Sequence, residues 1–268
     1  MSLIAASPEP VFFLVDLALY PRAHQQMFEV EDTPTYQLLY LQTPYRQHAQ
    51  QGPLLTQPST PRAQATAAQW VEQGVAIAIH ADRPFTLLVD HLRSLTRIRR
   101  QKGPPALFRY ADPRLYAGLE SALSRDDITR LMGPARQMYG VAGGNAWSLE
   151  SPSGQPYAPP GDDFMLTVAH EQAMQTWREG VFLQQLASEY ALPVSCTATW
   201  LLQMKELALE TEYARWEGCR ILADSGHQSP LSPQQMDRLQ DHAGPWQHML
   251  SCLHELVTAS PSVDKEMS

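Results

Sequence analysis

Cysteine is scarce in this chain, and long apolar runs are missing from it. The three cysteines, Cys196, Cys219 and Cys252, are odd in number and lie far apart in a sequence of 268 residues. A disulfide framework is therefore not expected, whereas a reducing compartment is. The short apolar run near the start, VFFLVDLAL, is interrupted by Asp16 and is too short to span a bilayer. We therefore expect a cytoplasmic protein with no membrane partner.

Signatures of enzymes and of cofactor sites are also missing. No GxSxG, HExxH or CxxC motif occurs, and the glycines at 140–144 match neither a dinucleotide fingerprint nor a phosphate loop. Four histidine and cysteine side chains fall between residues 242 and 254, but no CxxC or HExxH motif accompanies them, and we predict no metal site there. The acid pair at 126–127 is expected to cap a helix. The sequence predicts a protein that is not an enzyme and needs no cofactor.

Basic charge is concentrated in one segment, and lysine is nearly absent. The chain has 20 Lys and Arg against 28 Asp and Glu, and only three of the basic residues are lysines. Residues 83–136 contain 11 basic and 5 acidic residues, which leaves 9 and 23 for the rest of the chain. Arginine favours bidentate contacts with carboxylates. This asymmetry predicts a basic patch on an otherwise acidic protein.

Three arginines of that segment are spaced as on one face of a helix. Arg93, Arg97 and Arg100 stand at i, i+4 and i+7. Such a stripe favours contact with an acidic partner surface or with phosphate, and it is equally compatible with a solvated helix face. Nucleic acid is the weaker alternative, because the whole chain is acidic and has no recognised nucleic-acid-binding motif. We predict that these arginines, together with Arg109, contact a protein partner.

Short apolar runs alternate with helical patterns in the first half of the chain. Strands are predicted at residues 11–16, 36–41, 75–80 and 106–110, and helices at 62–73 and after Pro84. Strands that are separated by single helices indicate βαβ units. We therefore predict an α/β lobe over residues 1–142, with a mixed, partly parallel sheet and flanking helices.

The second half of the chain has a different composition. Residues 143–162 are rich in glycine, proline and serine and are predicted to form a linker or long loop. An all-α lobe is predicted over 163–260, with Pro193 ending its first helix and a second helix running from Thr197 to Leu222. The tail at 261–268 is predicted to be disordered.

A regular apolar seam marks the end of the helical lobe. Its members are spaced three and four apart, which is typical of helix packing: Met236, Leu239, Ala243, Trp246, Leu250, Leu253 and Val257. The seam either packs within the lobe or docks a helix of a partner. Gly244-Pro245 is expected to kink or split the helix.

The dipeptide Asp112-Pro113 predicts the start of a helix. Aspartate is a good N-cap, and proline fits the first helical position because its missing N–H has no helical partner there. Arg109 lies three residues earlier. It is expected either to form an ion pair with Asp112 or Asp16, or to project towards a ligand.

A series of six short blocks resembles the type VI secretion effector adaptors, also called effector chaperones and long catalogued as a domain of unknown function. In order, the blocks are FFLVD (12–16), LLYLQT (38–43), GPLLTQ (52–57), HLRSL (91–95), FRYADPR (108–114) and MGP (132–134). The resemblance covers about residues 11–140. Its structural motif includes Asp16, Gly52, Pro53, Asp112 and Pro113. The chain departs from the family pattern at Ala111, where an aromatic residue is common.

The resemblance implies a function that the composition does not show. Members of that family are cytoplasmic and are not enzymes; each binds one cognate toxic effector and loads it onto the VgrG spike. Two protein partners are therefore expected, an effector and a spike protein. The helical lobe looks like the variable C-terminal lobe of the family, and we expect it to hold the effector. Trp200, Trp216 and Trp246 are its candidate contacts.

Overall fold

The chain forms two compact units, each with its own hydrophobic core. The computed structural model describes residues 11–152, 163–207, 209–241 and 244–259. The units are Met1–Trp177 and Arg178–Ser268, and the boundary falls inside one long helix. A region of sheet and helix followed by a helical region was predicted from the sequence, and the order of elements confirms it. The boundary lies later in the chain than the segment predicted as a linker.

The first unit contains two sheets and short helices. Its strands are β1 (Val11–Asp16), β2 (Thr35–Leu38), β3 (Pro53–Gln57), β4 (Ala76–His80), β5 (Arg97–Arg100), β6 (Ala106–Leu107), β7 (Gln137–Ala142), β8 (Asn145–Glu150) and β9 (Phe164–Leu166). Its helices are α1 (Ala23–Val30), α2 (Pro61–Glu72), α3 (Phe85–Ser94), α4 (Pro113–Leu119) and α5 (Arg125–Met132). Short 3-10 helices lie at Leu39–Gln42, Arg46–Gln51 and Glu120–Ala122.

The larger sheet is antiparallel, which corrects the predicted pairing. Its order is β2-β3-β1-β4-β7-β8, and each neighbouring pair in it is antiparallel. The strands that α1 connects, β1 and β2, do run in the same direction, but β3 lies between them. In the same way β1 separates β3 from β4, which α2 connects. The crossovers through α1 and α2 thus each skip one strand. The one parallel pair among the described strands, β5 with β9, belongs to the smaller sheet β6-β5-β9.

The centre of the larger sheet is apolar on both faces. Every residue of β4 is buried, and β1 is buried from Phe12 to Asp16. At one edge, β8 alternates between exposed residues and the buried side chains of Trp147 and Leu149. Continuous apolar runs therefore mark central strands, and alternation marks the edge.

A tight hairpin joins β7 to β8. Gly143 and Gly144 have φ values of 57° and 79°, as a two-residue turn with left-handed backbone requires. The strand β8 therefore stands where a linker had been predicted. Residues 153–162 of that predicted linker lie outside the described residues.

The second unit is helical, and one predicted helix is divided. Its helices are the C-terminal part of α6 (Val168–Glu189), then α7 (Val194–Glu206), α8 (Glu212–Asp224), α9 (Pro233–Gln240) and α10 (Trp246–Ala259). The single helix predicted from Thr197 to Leu222 is wrong. A new helix starts after Thr211, whose side chain accepts a hydrogen bond from the backbone N–H of Ala214 at 3.1 Å.

The apolar seam packs within the helical unit. Met236 and Leu239 of α9 and Leu250, Leu253 and Val257 of α10 are buried in its core. The two helices are separate, as Gly244-Pro245 predicted. Ala243 and the predicted tail at 261–268 lie outside the described residues. No helix in the described part of the chain is both long enough and apolar enough to cross a membrane.

Candidate functional site

A predicted motif residue, Asp16, and a predicted partner contact, Arg109, meet at the end of β1. The buried carboxylate of Asp16 accepts hydrogen bonds from the backbone N–H of Ala18 at 2.9 Å and from Nη2 of Arg109 at 2.6 Å. Of the two acids that were considered for Arg109, the structure selects Asp16. About half of the Arg109 side chain remains exposed. A buried acid therefore orients an accessible guanidinium group.

Asp112 caps α4, as its position before Pro113 predicted. Its Oδ1 accepts a hydrogen bond from the backbone N–H of Arg114 at 3.0 Å. The guanidinium of Arg114 contacts the same carboxylate through two further bonds, Nε to Oδ1 at 2.9 Å and Nη2 to Oδ2 at 2.8 Å. These bonds raise the pKa of Arg114, and the charge of Asp16 adds to the shift. Arg114 was not among the predicted site residues, although its place two residues after an N-cap aspartate is a signal for this contact.

The four residues Asp16, Arg109, Asp112 and Arg114 form what we call the Asp16 cluster. Besides the ion pairs, the backbone N–H of Asp112 donates to the carbonyl of Arg109 at 2.9 Å. Both acids are buried and both arginines are about half exposed. The cluster connects the end of β1 to the start of α4 and leaves guanidinium groups at the surface.

Gly52 and Pro53 place an aromatic ring beside this cluster. Pro53 lies opposite Asp16 in the β1–β3 register, and the carbonyl of Gly52 accepts a hydrogen bond from the N–H of Leu17 at 3.2 Å. A Cβ atom on Gly52 would lie 2.8 Å from Cε2 and 2.9 Å from Cγ of Tyr40. Burial, and then the charge of Asp16, raise the pKa of Tyr40 to about 12. The Gly-Pro block is thus explained by the close approach of this ring.

The predicted helical stripe of arginines does not exist. Arg93 lies in the last turn of α3, but Arg97 and Arg100 begin and end the strand β5. The apolar side chain of Ile98 is buried between them, and β5 pairs with strands on both sides. Arg100 donates twice to Oε1 of Glu171, from Nε at 2.8 Å and from Nη2 at 2.6 Å.

The structure nevertheless places Arg93 and Arg97 in the wall of one cavity. This space, which we call the Arg93 cavity, has a volume of about 800 Å³. It is lined by residues 42–45, by Asp90, Arg93 and Ser94 of α3, by Thr96 and Arg97, by residues 105–106 and by Asp163. The residues come from four separate stretches of the first unit, so spacing in the sequence does not reveal the cavity.

The two arginines of the Arg93 cavity have weak ionic partners. Nη1 of Arg93 is 3.9 Å from Asp90, an acid whose side chain is 74% exposed. Nε of Arg97 is also 3.9 Å from Asp163, and the Arg97 side chain is 63% exposed. Pairs of this length and exposure contribute little free energy. The cavity wall therefore contains charged groups that an anionic ligand can bind.

The three predicted tryptophans have different environments within the helical unit. Trp200 is completely buried, and its Nε1 donates to the carbonyl of Ser229 at 2.9 Å. It belongs to the core, so the prediction that it contacts a partner is corrected. Trp216 stacks on a phenylalanine of α6 at a centroid distance of 4.7 Å. Trp246 is partly exposed and meets the exposed ring of Tyr213 edge to face at 5.9 Å.

The cysteines and histidines in the described part of the chain do not assemble a metal site. Within those residues, no group of three or more His, Cys, Asp or Glu side chains is placed to hold a metal ion. Cys252 Sγ lies 3.7 Å from Nε2 of His248. Burial raises the pKa of the Cys219 thiol to about 12, which is opposite to the shift of a reactive thiolate.

Comparison with known families relates the first unit to one domain. Residues 11–130 match the family model of a domain of unknown function, DUF4123. The match includes the whole Asp16 cluster and both arginines of the Arg93 cavity. None of the curated proteins and none of the solved structures matches the chain. The segment from residue 11 to residue 130 is therefore similar to DUF4123.

Proposed function

We propose that this protein is a non-enzymatic adaptor that binds a type VI secretion effector and loads it onto a VgrG spike in the cytoplasm. The match of residues 11–130 to DUF4123 is the observation that carries this proposal. The ordered blocks in the same segment resemble effector adaptors, which have been catalogued as a domain of unknown function. The two observations concern the same residues and support each other.

The geometry of the site supports binding rather than a reaction. The acids of the Asp16 cluster are engaged in ion pairs and caps that connect distant parts of the fold. Half-exposed guanidinium groups recognise carboxylates on a protein surface with defined geometry. Such charged surfaces increase the rate and specificity of encounter between proteins.

The helical unit offers a second surface. Val194 and Leu202 of α7 and Tyr213 of α8 are large apolar residues that are largely exposed. An amphipathic segment of a partner can cover side chains of this kind. We propose that this unit holds the effector, because a variable lobe is expected to follow a variable partner.

The alternative of nucleic-acid binding loses its main support. It depended on Arg93, Arg97 and Arg100 sharing one helical face, and these residues lie on a helix and a strand. Heparin chromatography at low salt tests whether the protein binds polyanions at all. Retention that Arg97→Glu abolishes would favour a polyanion, since phosphate contacts give steep salt dependence.

Co-expression with the proteins encoded beside this gene tests the proposal. We expect the tagged full chain to form a complex with an effector and with a VgrG-type spike, and the complex should survive gel filtration. Recovery of neither protein, from a chain whose folding is verified by circular dichroism, would refute the adaptor function.

A chimaera tests which unit selects the effector. Residues 165–258 would be exchanged for those of a paralogue, and we expect the choice of effector to follow them. If the choice of effector stays with residues 1–150, the assignment of the effector to the helical unit is wrong.

A further inference from the structure

We propose that the Arg93 cavity binds an acidic peptide segment of a partner protein, with Arg93 and Arg97 contacting its carboxylates. The inference depends on the proposed adaptor function for its biological meaning. It adds a location and a ligand class that the similarity to DUF4123 does not specify.

The first argument compares the partners of five arginines in the first unit. Arg100 and Arg114 each make two short bonds to one acid, and Arg109 makes a bond of 2.6 Å to buried Asp16. Their strongest acceptors are thus already supplied by the fold. Arg93 and Arg97, in contrast, have acids only at 3.9 Å. Of these five arginines, the two with weak internal pairs are those that line the cavity.

The second argument concerns an unsatisfied donor. The Arg93 side chain is only 15% exposed, and its Nη2 is buried without a hydrogen-bond partner among the described residues. Buried donors without partners are rare and unfavourable. Nε of the same side chain donates to the carbonyl of Leu39 at 3.3 Å, which restrains the guanidinium. A carboxylate in the cavity would therefore meet a guanidinium group that is already held in place, which lowers the cost of binding.

The third argument selects a peptide as the ligand. A volume of about 800 Å³ accommodates several side chains. The wall also contains Asp90 and Asp163, so a ligand must contact the arginines individually and is not attracted by a net positive charge of the wall. Pro44, Tyr45 and Pro105 add apolar surface. A chain of spaced carboxylates with aliphatic stems fits this combination of charge and surface.

The test uses the purified full chain and two acetylated peptides, hexaglutamate and hexaglutamine, at low salt. We expect tighter binding of hexaglutamate, although the net charge of the chain is −8, because the attraction is local. Arg97→Gln should weaken hexaglutamate binding about tenfold, the loss expected for one charge-assisted contact. Arg99→Gln is the matched control, because Arg99 is exposed on the same strand but does not line the cavity.

Two further variants separate recognition from a change in folding. Asp163→Asn removes a competing carboxylate and should strengthen hexaglutamate binding several-fold. Arg93→Lys keeps the charge but loses the planar fork, and it should weaken binding by a similar factor to Arg97→Gln. Equal affinity for the two peptides, or equal loss with Arg99→Gln, would overturn the proposed site.

The outcome for the site can be distinguished from the outcome for the adaptor function. If a partner is recovered by co-expression and Arg97→Glu leaves that complex intact, the adaptor function stands and the site is refuted. If hexaglutamate binding behaves as expected and no partner is recovered, the site stands and the adaptor function fails.

Discussion

Replacing Gly52 by alanine tests the packing of the Gly-Pro block against Tyr40. The φ of Gly52 is −93°, so alanine introduces no backbone strain. The effect comes from space alone, because the new Cβ would lie within 3 Å of Cε2 and Cγ of the Tyr40 ring. That ring is buried and lies 5.9 Å from the ring of Tyr45. It therefore cannot move away freely.

The size of the effect follows from the cost of overpacking. An extra methyl group in a well-packed core costs about 1–3 kcal/mol, and the close approach to several ring atoms places Gly52→Ala at about 2–3 kcal/mol. Urea denaturation of the full chain should show a lower midpoint with an unchanged slope, because the surface exposed on unfolding stays the same.

Two comparisons make the test specific. In a Tyr40→Ala background the ring is gone, and Gly52→Ala should then cost less than about 0.5 kcal/mol, which a double-mutant cycle measures as coupling. Gly180→Ala is the matched control, since a Cβ there meets nothing within 4 Å; in a helix it should stabilise by about 0.5–1 kcal/mol. A cost for Gly52→Ala that is equal in both backgrounds would refute the reasoning.

Three other substitutions test the structural roles of charged and titrating residues. Asp112→Ala should lower the free energy of unfolding by about 1–2 kcal/mol through loss of the α4 cap, whereas Asp112→Asn, which keeps a capping oxygen, should cost less; unaltered stability with lost partner binding would contradict the structural role. Arg109→Met should cost about 1–2 kcal/mol in a urea titration, because Asp16 loses a charged donor, and the exposed control Arg99→Met should stay within about 0.5 kcal/mol. Burial lowers the pKa of His91 from 6.5 to about 4, so the unfolded chain binds its proton more readily. The free energy of unfolding should therefore fall by about 3 kcal/mol, on account of His91, as the pH drops from about 6.5 to about 4. His91→Leu should lack that part of the pH dependence, and identical profiles for the two proteins would exclude it.

The helix ends that proline, glycine or a capping aspartate marks were predictable because they depend on neighbouring residues. The helix predicted over 62–73 is α2, which starts at Pro61 and is followed by Gly74, and the Asp112-Pro113 cap starts α4 as predicted. Gly133, the glycine of the MGP block, follows α5 with a φ of 55°. Each of these features requires contacts within about one helical turn, so the order of residues along the chain contains the information.

The candidate site was predictable only in part. Asp16 and Asp112 were identified as motif residues and Arg109 as a candidate partner contact. Arg114 was missed, and the acid that pairs with Arg109 was left open between two candidates. Arg93 and Arg97 lie near each other because α3 and β5 both line the cavity, and not because they share the predicted helical face. Helical spacing holds only while the helix continues, and α3 ends at Ser94.

By itself the sequence determined the central strands β1 and β4, the caps of α2 and α4, that a sheet region precedes a helical region, and that the first segment carries the motif series of one domain family. Only the tertiary structure decided that the crossovers through α1 and α2 skip a strand, that Trp200 is a core residue, and that Arg93 and Arg97 share a cavity. The physical reason is the distance along the chain over which each interaction acts. Caps and periodicity act between near neighbours, whereas strand order, burial and ion-pair partners depend on contacts between residues far apart in the chain.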